Sequence, residues 1–174
     1  MPPWRSSSWN IGLIQGPPGW WEAGERFAGW REALHQAGLE ALPHRVVQAE
    51  WSVEAGMQAM RRLLEQAPEL DGVFCSSDDI ALGALSAAMR AGRRVPTDLA
   101  LVGFDNIPQS AYFHPPLTTI DQPLARTGRA AVDLLLERIA FRRAGKETAG
   151  EDASALALEP RLVVRASSER AEAT

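Results

Sequence analysis

The stretch "GVFCSSDDIALGAL", residues 72–85, places Ser76, Ser77, Asp78 and Asp79 between a short apolar run and a longer run with helical spacing. Hydroxyl and carboxylate groups at such a junction could line a polar binding site. They could also only start a helix, because Ser is a preferred N-cap residue and acidic side chains in the first turn suit the helix dipole. Both interpretations fit this stretch alone.

Comparable side chains follow other short apolar runs. Arg26 lies in the segment after the first run, Trp51 follows the second, and Asp105 follows the fourth. In an open parallel sheet, ligands bind beyond the carboxyl ends of the strands, where strand-to-helix loops and helix N-termini converge. We therefore predict a ligand site on one rim of the sheet, formed by Arg26, Trp51, Ser77, Asp78 and Asp105.

These side chains favour a polyol ligand. Carboxylates, amides and an arginine can form paired hydrogen bonds with vicinal hydroxyls, and a tryptophan face can cover the C–H side of a sugar ring. A phosphate is disfavoured, because the chain has no glycine-rich phosphate loop and two carboxylates would repel it. Each residue also has a structural alternative: Trp51 could support a loop, Arg26 could form a surface salt bridge, and Asp105 could cap a turn.

Catalysis has little support in the sequence. The three histidines fall on a predicted helix, at the start of a predicted strand and in a proline-rich loop, away from the acidic residues. There is no nucleophile elbow and no metal-ligand spacing, and Cys75 is expected to be a small buried hydrophobe. Asp78 and Asp105 could pair as acid and base, but without a neighbouring base or metal they are a weak enzyme signal. We predict no enzymatic activity, no metal and no cofactor.

The elements that would hold this rim alternate in type. Each short apolar run is followed by an amphipathic stretch, and the repeat is near the roughly 30 residues of a β-α-β unit. This pattern is typical of an α/β fold with a parallel sheet and helices on both faces. The predicted strands are "NIGLIQG", "HRVVQAEW", "GVFCS" and "DLALVGFD", and the predicted helices cover about residues 22–37, 53–67 and 78–91.

The pattern changes after Asp105. A proline-rich loop, "NIPQSAYFHPPLTT", leads to a short extended piece, "TTIDQP", and then to a long helix over about residues 123–143. The following segment, "FRRAGKETAGEDASA", is polar and expected to be mobile. The stretch "LALEPRLVVRAS" predicts a final strand at an edge.

Bulk composition excludes several classes of protein. A chain of 174 residues suffices for one ordinary domain with a core. No stretch approaches the roughly 18 consecutive apolar residues of a membrane span, the start has no apolar signal region, and a single cysteine excludes an intrachain disulfide. The net charge of −4 and the scattered basic residues predict little binding of nucleic acid by this chain alone. We expect a cytoplasmic protein that does not associate with membranes.

Several motifs in order resemble the effector-binding part of the LacI/GalR family of bacterial transcription regulators, from about Ile11 to Ser167. They are "ERFAGWREAL", "DGVFCSSDDIALGAL", "GRRVPTDLALVGFDN", "PPLTTIDQP" and "PRLVVRAS". The resemblance implies a periplasmic-binding-protein-like type I fold that senses a sugar, a nucleoside base or a similar metabolite between two subdomains. It also implies a homodimer whose DNA-binding headpieces respond to that effector.

The resemblance assigns roles to individual residues. Arg26, Trp51, Ser77 and Asp105 match family ligand contacts, and Asp78 matches the acidic residue beside the third-strand contact. Ser77 stands where the family often has Asn, which shortens the hydrogen-bond reach. The dimer contacts implied by the family are Leu82, Leu85, Met89 and Phe113, although Leu82 and Leu85 could equally be ordinary core residues that face the sheet.

The resemblance also predicts a division of the chain. Residues 1–10 would be irregular, 11–117 the core of the carboxyl-terminal subdomain, 118–146 a crossover strand and helix that belong to the partner subdomain, and 147–174 a flexible loop, final strand and tail. Family members carry a helix-turn-helix headpiece that this chain lacks, so DNA would be contacted only through that absent part. Without its partner subdomain the long helix would expose an apolar stripe of Leu124, Leu134, Leu135 and Ile139.

Two other functions stay open from the residues. A fragment of a transport-type sugar-binding protein would share the fold but would need an export signal, and none is seen at the start of the chain. A small α/β enzyme would use Asp78 and Asp105 as acid and base.

Overall fold

The computed structural model describes residues 9–144 and 157–169, which fall into two compact units. The described part of the first unit is 9–120 with 162–169, and that of the second is 121–144 with 157–161. The polar segment expected to be mobile lies outside the described residues from 145 onward. So do residues 1–8 of the predicted irregular start and the tail from 170.

The first unit confirms the predicted alternation of strands and helices. The elements of this alternation are, in chain order, β1 (Ile11–Gln15), α1 (Trp21–Gln36), β2 (Val46–Gln48), α2 (Val53–Gln66), β3 (Gly72–Cys75), α3 (Asp78–Arg90) and β4 (Ala100–Val102). Farther along the chain come β5 (Thr119–Asp121), α4 (Leu124–Arg143) in the second unit, and β6 (Arg161–Val163). The strands β2 and β4 are shorter than predicted. A 3₁₀ turn over Pro43–Arg45 takes the place of the start of β2. Before β4, the carboxylate of Asp98 binds the backbone N–H and the guanidinium of Arg94 instead of continuing a strand.

The four strands of the first unit form one parallel sheet in the order β2-β1-β3-β4. Gln15 is in register with Gln48, Ile14 with Cys75, and Phe74 with Val102. All four strands therefore end at the same edge, and the loops that follow them converge there. β5 and β6 pair in a separate two-stranded sheet.

Helices cover both faces of the parallel sheet, as predicted. Successive side chains of a strand point to opposite faces, and β1 shows this directly. Leu13 packs with Trp30 and Leu34 of α1, whereas Ile14 belongs to the larger core cluster formed with α2 and α3. α1 thus covers one face, and α2 and α3 cover the other.

The helices α2 and α3 pack at backbone contact distance. A Cβ atom on Gly83 would collide with the carbonyl oxygen of Val53, and one on Gly56 would collide with the backbone of Ile80. Real Cβ atoms do not approach backbone this closely, so neither position accepts a side chain without separating the helices. This close packing fixes the position of the α3 N-terminus relative to α2, at the edge where the four strands end.

The terminal segment after β6 returns to the first unit. The N–H of Leu101 donates to the carbonyl of Ser167 at 2.8 Å, and the Ser167 hydroxyl donates to the carbonyl of Leu101 at 2.6 Å. The N–H of Thr118 donates to the same hydroxyl at 2.8 Å. Ser167 is fully buried, so the segment joins β4 to the loop before β5.

In the second unit, α4 is amphipathic only weakly and its apolar side chains are exposed. Leu124, Leu134, Leu135 and Ile139 expose between 38% and 67% of their surface, which confirms the predicted exposed stripe. Over residues 9–144 and 157–169, no helix combines the length and the apolar character needed to cross a membrane.

Candidate functional site

The side chain of Arg26 lies at the centre of the rim and connects the ends of three strands. Its Nη1 donates to the carbonyl oxygen of Ser76, after β3, at 2.5 Å, and its Nη2 lies 3.4 Å from Oδ1 of Asp105, after β4. The guanidinium carbon lies 3.9 Å from the ring centroid of Phe104 and 5.7 Å from that of Trp51. Arg26 comes from the second turn of α1, so one side chain draws together all the loops that the sequence placed on this rim.

Burial and two carboxylates determine the electrostatics of Arg26. Burial lowers the pKa of its guanidinium below the ordinary value, and the negative charges of Asp105 and Glu22 partly offset that shift. An arginine stays protonated at neutral pH in proteins. The cation therefore has two carboxylates nearby, and the rim around it offers no excess positive charge that would attract a phosphate.

The ring of Trp51 forms one wall of the site. A Cβ atom on Gly16 would overlap the six-membered ring of Trp51, so the indole packs directly against the backbone at the end of β1. The ring of Trp20 stands against it, with centroids 6.3 Å apart and planes at 85°. Only glycine at position 16 lets the Trp51 ring occupy this place.

The turn after β4 holds its residues in an unusual backbone conformation. Asp105 has φ of 110° and Asn106 has φ of 52°, a region that non-glycine residues rarely adopt. The N–H of Asp105 donates to the carbonyl of Ile120 at 2.9 Å, and the amide oxygen of Asn106 accepts from Arg165 at 2.8 Å. Backbone strain of this kind persists where surrounding contacts enforce it, commonly at ligand sites.

Ser77 and Asp78 lie at the N-terminus of α3, next to the turn after β4. The Ser77 hydroxyl accepts from the N–H of Ile80 at 3.2 Å and caps α3. Asp78 is fully buried; its Oδ1 accepts from the Thr119 hydroxyl at 2.6 Å and its Oδ2 from the N–H of Ile107 at 2.9 Å. Burial raises the pKa of the Asp78 carboxyl in spite of these hydrogen bonds. Ser77 is 6% exposed and Asp78 is fully buried, so both have little surface for a ligand, and their predicted ligand contacts stay a prediction.

The structure brings Arg26, Trp51 and Asp105 together, as the spacing of the strands predicts. Two further residues hold the turn after β4 and were not identified from the sequence: Thr119 and Arg165. Thr119, the first residue of β5, lies 41 residues from Asp78, and Arg165, in the irregular segment after β6, lies 59 residues from Asn106. No periodicity links such positions, so only the folded structure reveals the connection.

The four residues expected at a dimer contact differ in exposure. Leu85 is 3% exposed and Phe113 is 8% exposed, and both belong to the larger core cluster. Leu82 is partly buried against the same core, and Met89 is 49% exposed. Leu85 and Phe113 therefore have little surface for a partner, and a dimer contact through Leu82 and Met89 stays a prediction.

In the part of the chain that the structure describes, no three or more His, Cys, Asp or Glu side chains are grouped so that they could hold a metal ion. Cys75 is buried at the end of β3, and burial raises the pKa of its thiol strongly. A thiol in that state is a poor nucleophile.

Residues 9–168 match the family described as periplasmic binding protein-like domain. Over 158 residues the chain is 39% identical to the HTH-type transcriptional repressor PurR of Proteus mirabilis and 40% identical to that of Photorhabdus laumondii. These alignments cover 91% of this chain and 44% of each relative. The chain thus spans less than half the length of these curated relatives.

Solved structures of transcriptional regulators are also similar to this chain over part of their length. A complex of the transcriptional regulator CelR with cellobiose superimposes with a TM-score of 0.82 at 38% identity, over 93% of this chain and 47% of that one. The transcription regulator CcpA of Lactococcus lactis superimposes with a TM-score of 0.77 at 30% identity, over 94% of this chain and 57% of that one. These relatives are transcriptional regulators rather than enzymes.

Proposed function

We propose that this chain, which belongs to the periplasmic binding protein-like domain family and is of the effector-binding type found in LacI-family regulators, binds a neutral saccharide at its rim. The saccharide would act as the effector of a transcriptional regulator. The observation that carries the proposal is the position of the Arg26 guanidinium, held between the Ser76 carbonyl, the Asp105 carboxylate and the ring faces of Trp51 and Phe104.

These groups suit a polyhydroxylated ring. A guanidinium has five N–H donors, more than its bonds to Ser76 and Asp105 require, and the Asp105 carboxylate can accept from further hydroxyls. Asp105 keeps 31% of its side chain exposed, whereas Arg26 keeps 13%. The Asp105 carboxylate would therefore be easier for a ligand to reach than the Arg26 guanidinium, and Trp51 would cover the apolar face of the sugar ring.

Ser77 and Asp78 enter the proposal as positioning residues. Ser77 caps α3, and Asp78 ties the loop after β4 to β5. Neither needs to touch the ligand to affect its affinity, because Asp78 holds the turn that carries Asp105 and Ser77 caps the helix to which Asp78 belongs.

The charge balance favours a neutral ligand over a phosphorylated one. Arg26 interacts with Asp105 and Glu22, and the buried Asp78 feels the negative charge of Asp105. A phosphate would add negative charge where carboxylates already outnumber the cation. The similar regulator CelR is described in complex with cellobiose, which makes neutral sugars the first compounds to test.

Dimer formation and DNA binding belong to the same proposal at the level of the whole regulator. LacI-family regulators bind effectors and form dimers. We assign the contact in this chain to the surface of α3 around Met89 and Leu82 and place the regulator in the cytoplasm. DNA would be bound through a headpiece outside this chain.

Thermal melting and tryptophan fluorescence of the chain test the proposal. The compounds are neutral mono- and disaccharides, their phosphorylated forms and nucleobases. A ligand that binds only the folded state stabilises it by about 2.7 kcal/mol at 100 times its dissociation constant. We expect stabilisation by a neutral saccharide, its loss in Asp105→Ala, and its retention in the control Asp133→Ala, which changes an exposed carboxylate of α4. A response only to nucleobases or phosphorylated compounds, or none at all, would contradict the proposal.

A further inference from the structure

Trp20 exposes 53% of its surface although it contacts a wall of the rim. Its ring lies against Trp51 at 6.3 Å between centroids, with the two planes at 85°. We infer that Trp20 and Trp51 form an aromatic corner that binds a saccharide of two linked rings, one ring against each indole. This inference rests on the proposed function and adds the size of the ligand.

The loop that carries Trp20 is built to be stiff. It reads "GPPGW", in which Pro17 and Pro18 have fixed φ angles and Gly19 adopts φ of 92°, a value that suits glycine. Trp20 is the N-cap residue of α1, and its carbonyl accepts from the N–H of Gly24 at 3.2 Å. The backbone on both sides of Trp20 is therefore constrained, so a ligand that binds its ring would not have to order a mobile loop.

The second wall of the corner is equally fixed. The Trp51 ring packs on the backbone of Gly16 and has the Arg26 guanidinium 5.7 Å from its centroid. Arg26 is itself held by the Ser76 carbonyl and by Asp105. Trp51 thus joins the corner to the polar groups that would bind the first sugar ring.

The angle between the two indoles determines what fits. A flat nucleobase or a single pyranose ring stacks on one plane, and a second ring face at 85° adds little to it. Two pyranose rings joined by a glycosidic bond can lie in different planes, so each apolar C–H face can meet one indole. The corner therefore favours a disaccharide or a longer saccharide over its monosaccharide unit.

The neighbouring Trp21 provides a matched control. It is 77% exposed, and no aromatic or cation contact of its ring is found among the described residues. Replacing Trp21 removes the same side chain from the adjacent position without changing the corner. Trp20→Ala and Trp21→Ala thus differ mainly in the proposed subsite.

The test is calorimetric titration of the chain and of Trp20→Ala, Trp21→Ala and Asp105→Ala. The probes are glucose and galactose, and the disaccharides cellobiose, maltose and lactose. We expect at least one disaccharide to bind tenfold or more tightly than its monosaccharide units. Trp20→Ala should weaken that disaccharide about two- to tenfold and leave the monosaccharide unchanged, since such a stacking contact is worth about 0.5–1.5 kcal/mol. Trp21→Ala should bind as the parent chain does.

Four results would overturn the inference, and the first three leave the proposed function standing. If a monosaccharide binds as tightly as every disaccharide, or if Trp20→Ala weakens both sizes equally, the rim binds sugars but the corner is not a second subsite. If Trp21→Ala has the same effect as Trp20→Ala, the loss reflects general damage to α1. If no saccharide binds and Asp105→Ala changes nothing, the proposed function fails together with the inference.

Discussion

The carboxylate of Asp78 accepts a hydrogen bond from the hydroxyl of Thr119 at 2.6 Å, which joins the first turn of α3 to the first residue of β5. The other oxygen of the same carboxylate binds the N–H of Ile107. The two bonds enclose the turn of Asp105 and Asn106, so the geometry of that turn depends on a buried hydrogen-bonded pair.

Thr119→Val removes the hydroxyl of Thr119 and keeps a β-branched side chain of nearly the same shape. The buried carboxylate of Asp78 would lose one partner, and we expect the free energy of unfolding to fall by about 1–3 kcal/mol. Urea denaturation measures the change. Thr127→Val is the control, because its hydroxyl bonds to the Pro123 carbonyl on an exposed helix, and its effect should stay within about 0.5 kcal/mol. Equal losses in both variants would contradict a special role for Thr119.

The pH dependence of stability should reveal the state of Asp78. Burial raises the pKa of its carboxyl in the folded chain, so between the unfolded value of about 3.9 and the raised value the folded state binds more protons. Stability from this group therefore decreases as pH rises through that window and increases as pH falls. Relative to Asp78→Asn, the parent chain should gain stability as the pH is lowered from 7 toward 4. A difference between the two that does not vary with pH would exclude this account.

Gly16→Ala should displace the ring of Trp51. The new Cβ would overlap that ring, and because the ring is the far end of a side chain it can move while the strand stays in place. We expect a changed tryptophan emission spectrum, loss of saccharide binding and a destabilisation of about 1–3 kcal/mol. Gly24→Ala on α1 is the control, since a Cβ there meets nothing within 4 Å and alanine favours the helix. Retained binding in Gly16→Ala would show that the position of Trp51 is unimportant.

The backbone at Asp105 predicts a conflict between stability and binding. With φ of 110°, this residue occupies a region that glycine enters without penalty and that costs other residues about 1–3 kcal/mol. Asp105→Gly should therefore be more stable than Asp105→Ala by about 1 kcal/mol or more, and both should lose saccharide binding. Chemical denaturation of the two variants side by side gives the comparison. Equal stabilities would mean that the turn relaxes to an ordinary conformation.

Much of the fold could be predicted from the sequence, because a parallel sheet covered by helices requires apolar residues at regular spacings along the chain. Short apolar runs such as that of Leu13 and Ile14, and helical stripes such as that of Trp30 and Leu34, follow from burial on two faces. The candidate rim could be predicted for the same reason, since parallel strands must end at one edge. Arg26, Trp51 and Asp105 were identified on that rule.

The remaining contacts could not be predicted, because they depend on where irregular segments pass. Arg165 donates to the amide oxygen of Asn106 and to the carbonyl of Leu117 at 2.7 Å, across sequence separations that no pattern encodes. The burial of Asp78 and Asp105 also differs for a reason that the sequence pattern does not contain. Both are carboxylates at strand ends, and only the turn geometry decides that Asp78 is buried and Asp105 partly exposed.

The bonds between Thr118 and Arg165 have a consequence for modularity. The N–H of Arg165 donates to the Thr118 hydroxyl at 2.8 Å, and that hydroxyl donates to the carbonyl of Arg165 at 2.8 Å. Two positions of the first unit, one before residues 121–161 in the chain and one after them, are therefore bonded directly to each other. A gene in which a short glycine-serine linker replaces residues 121–161 would keep both residues of this contact, together with Arg26, Trp51 and Asp105.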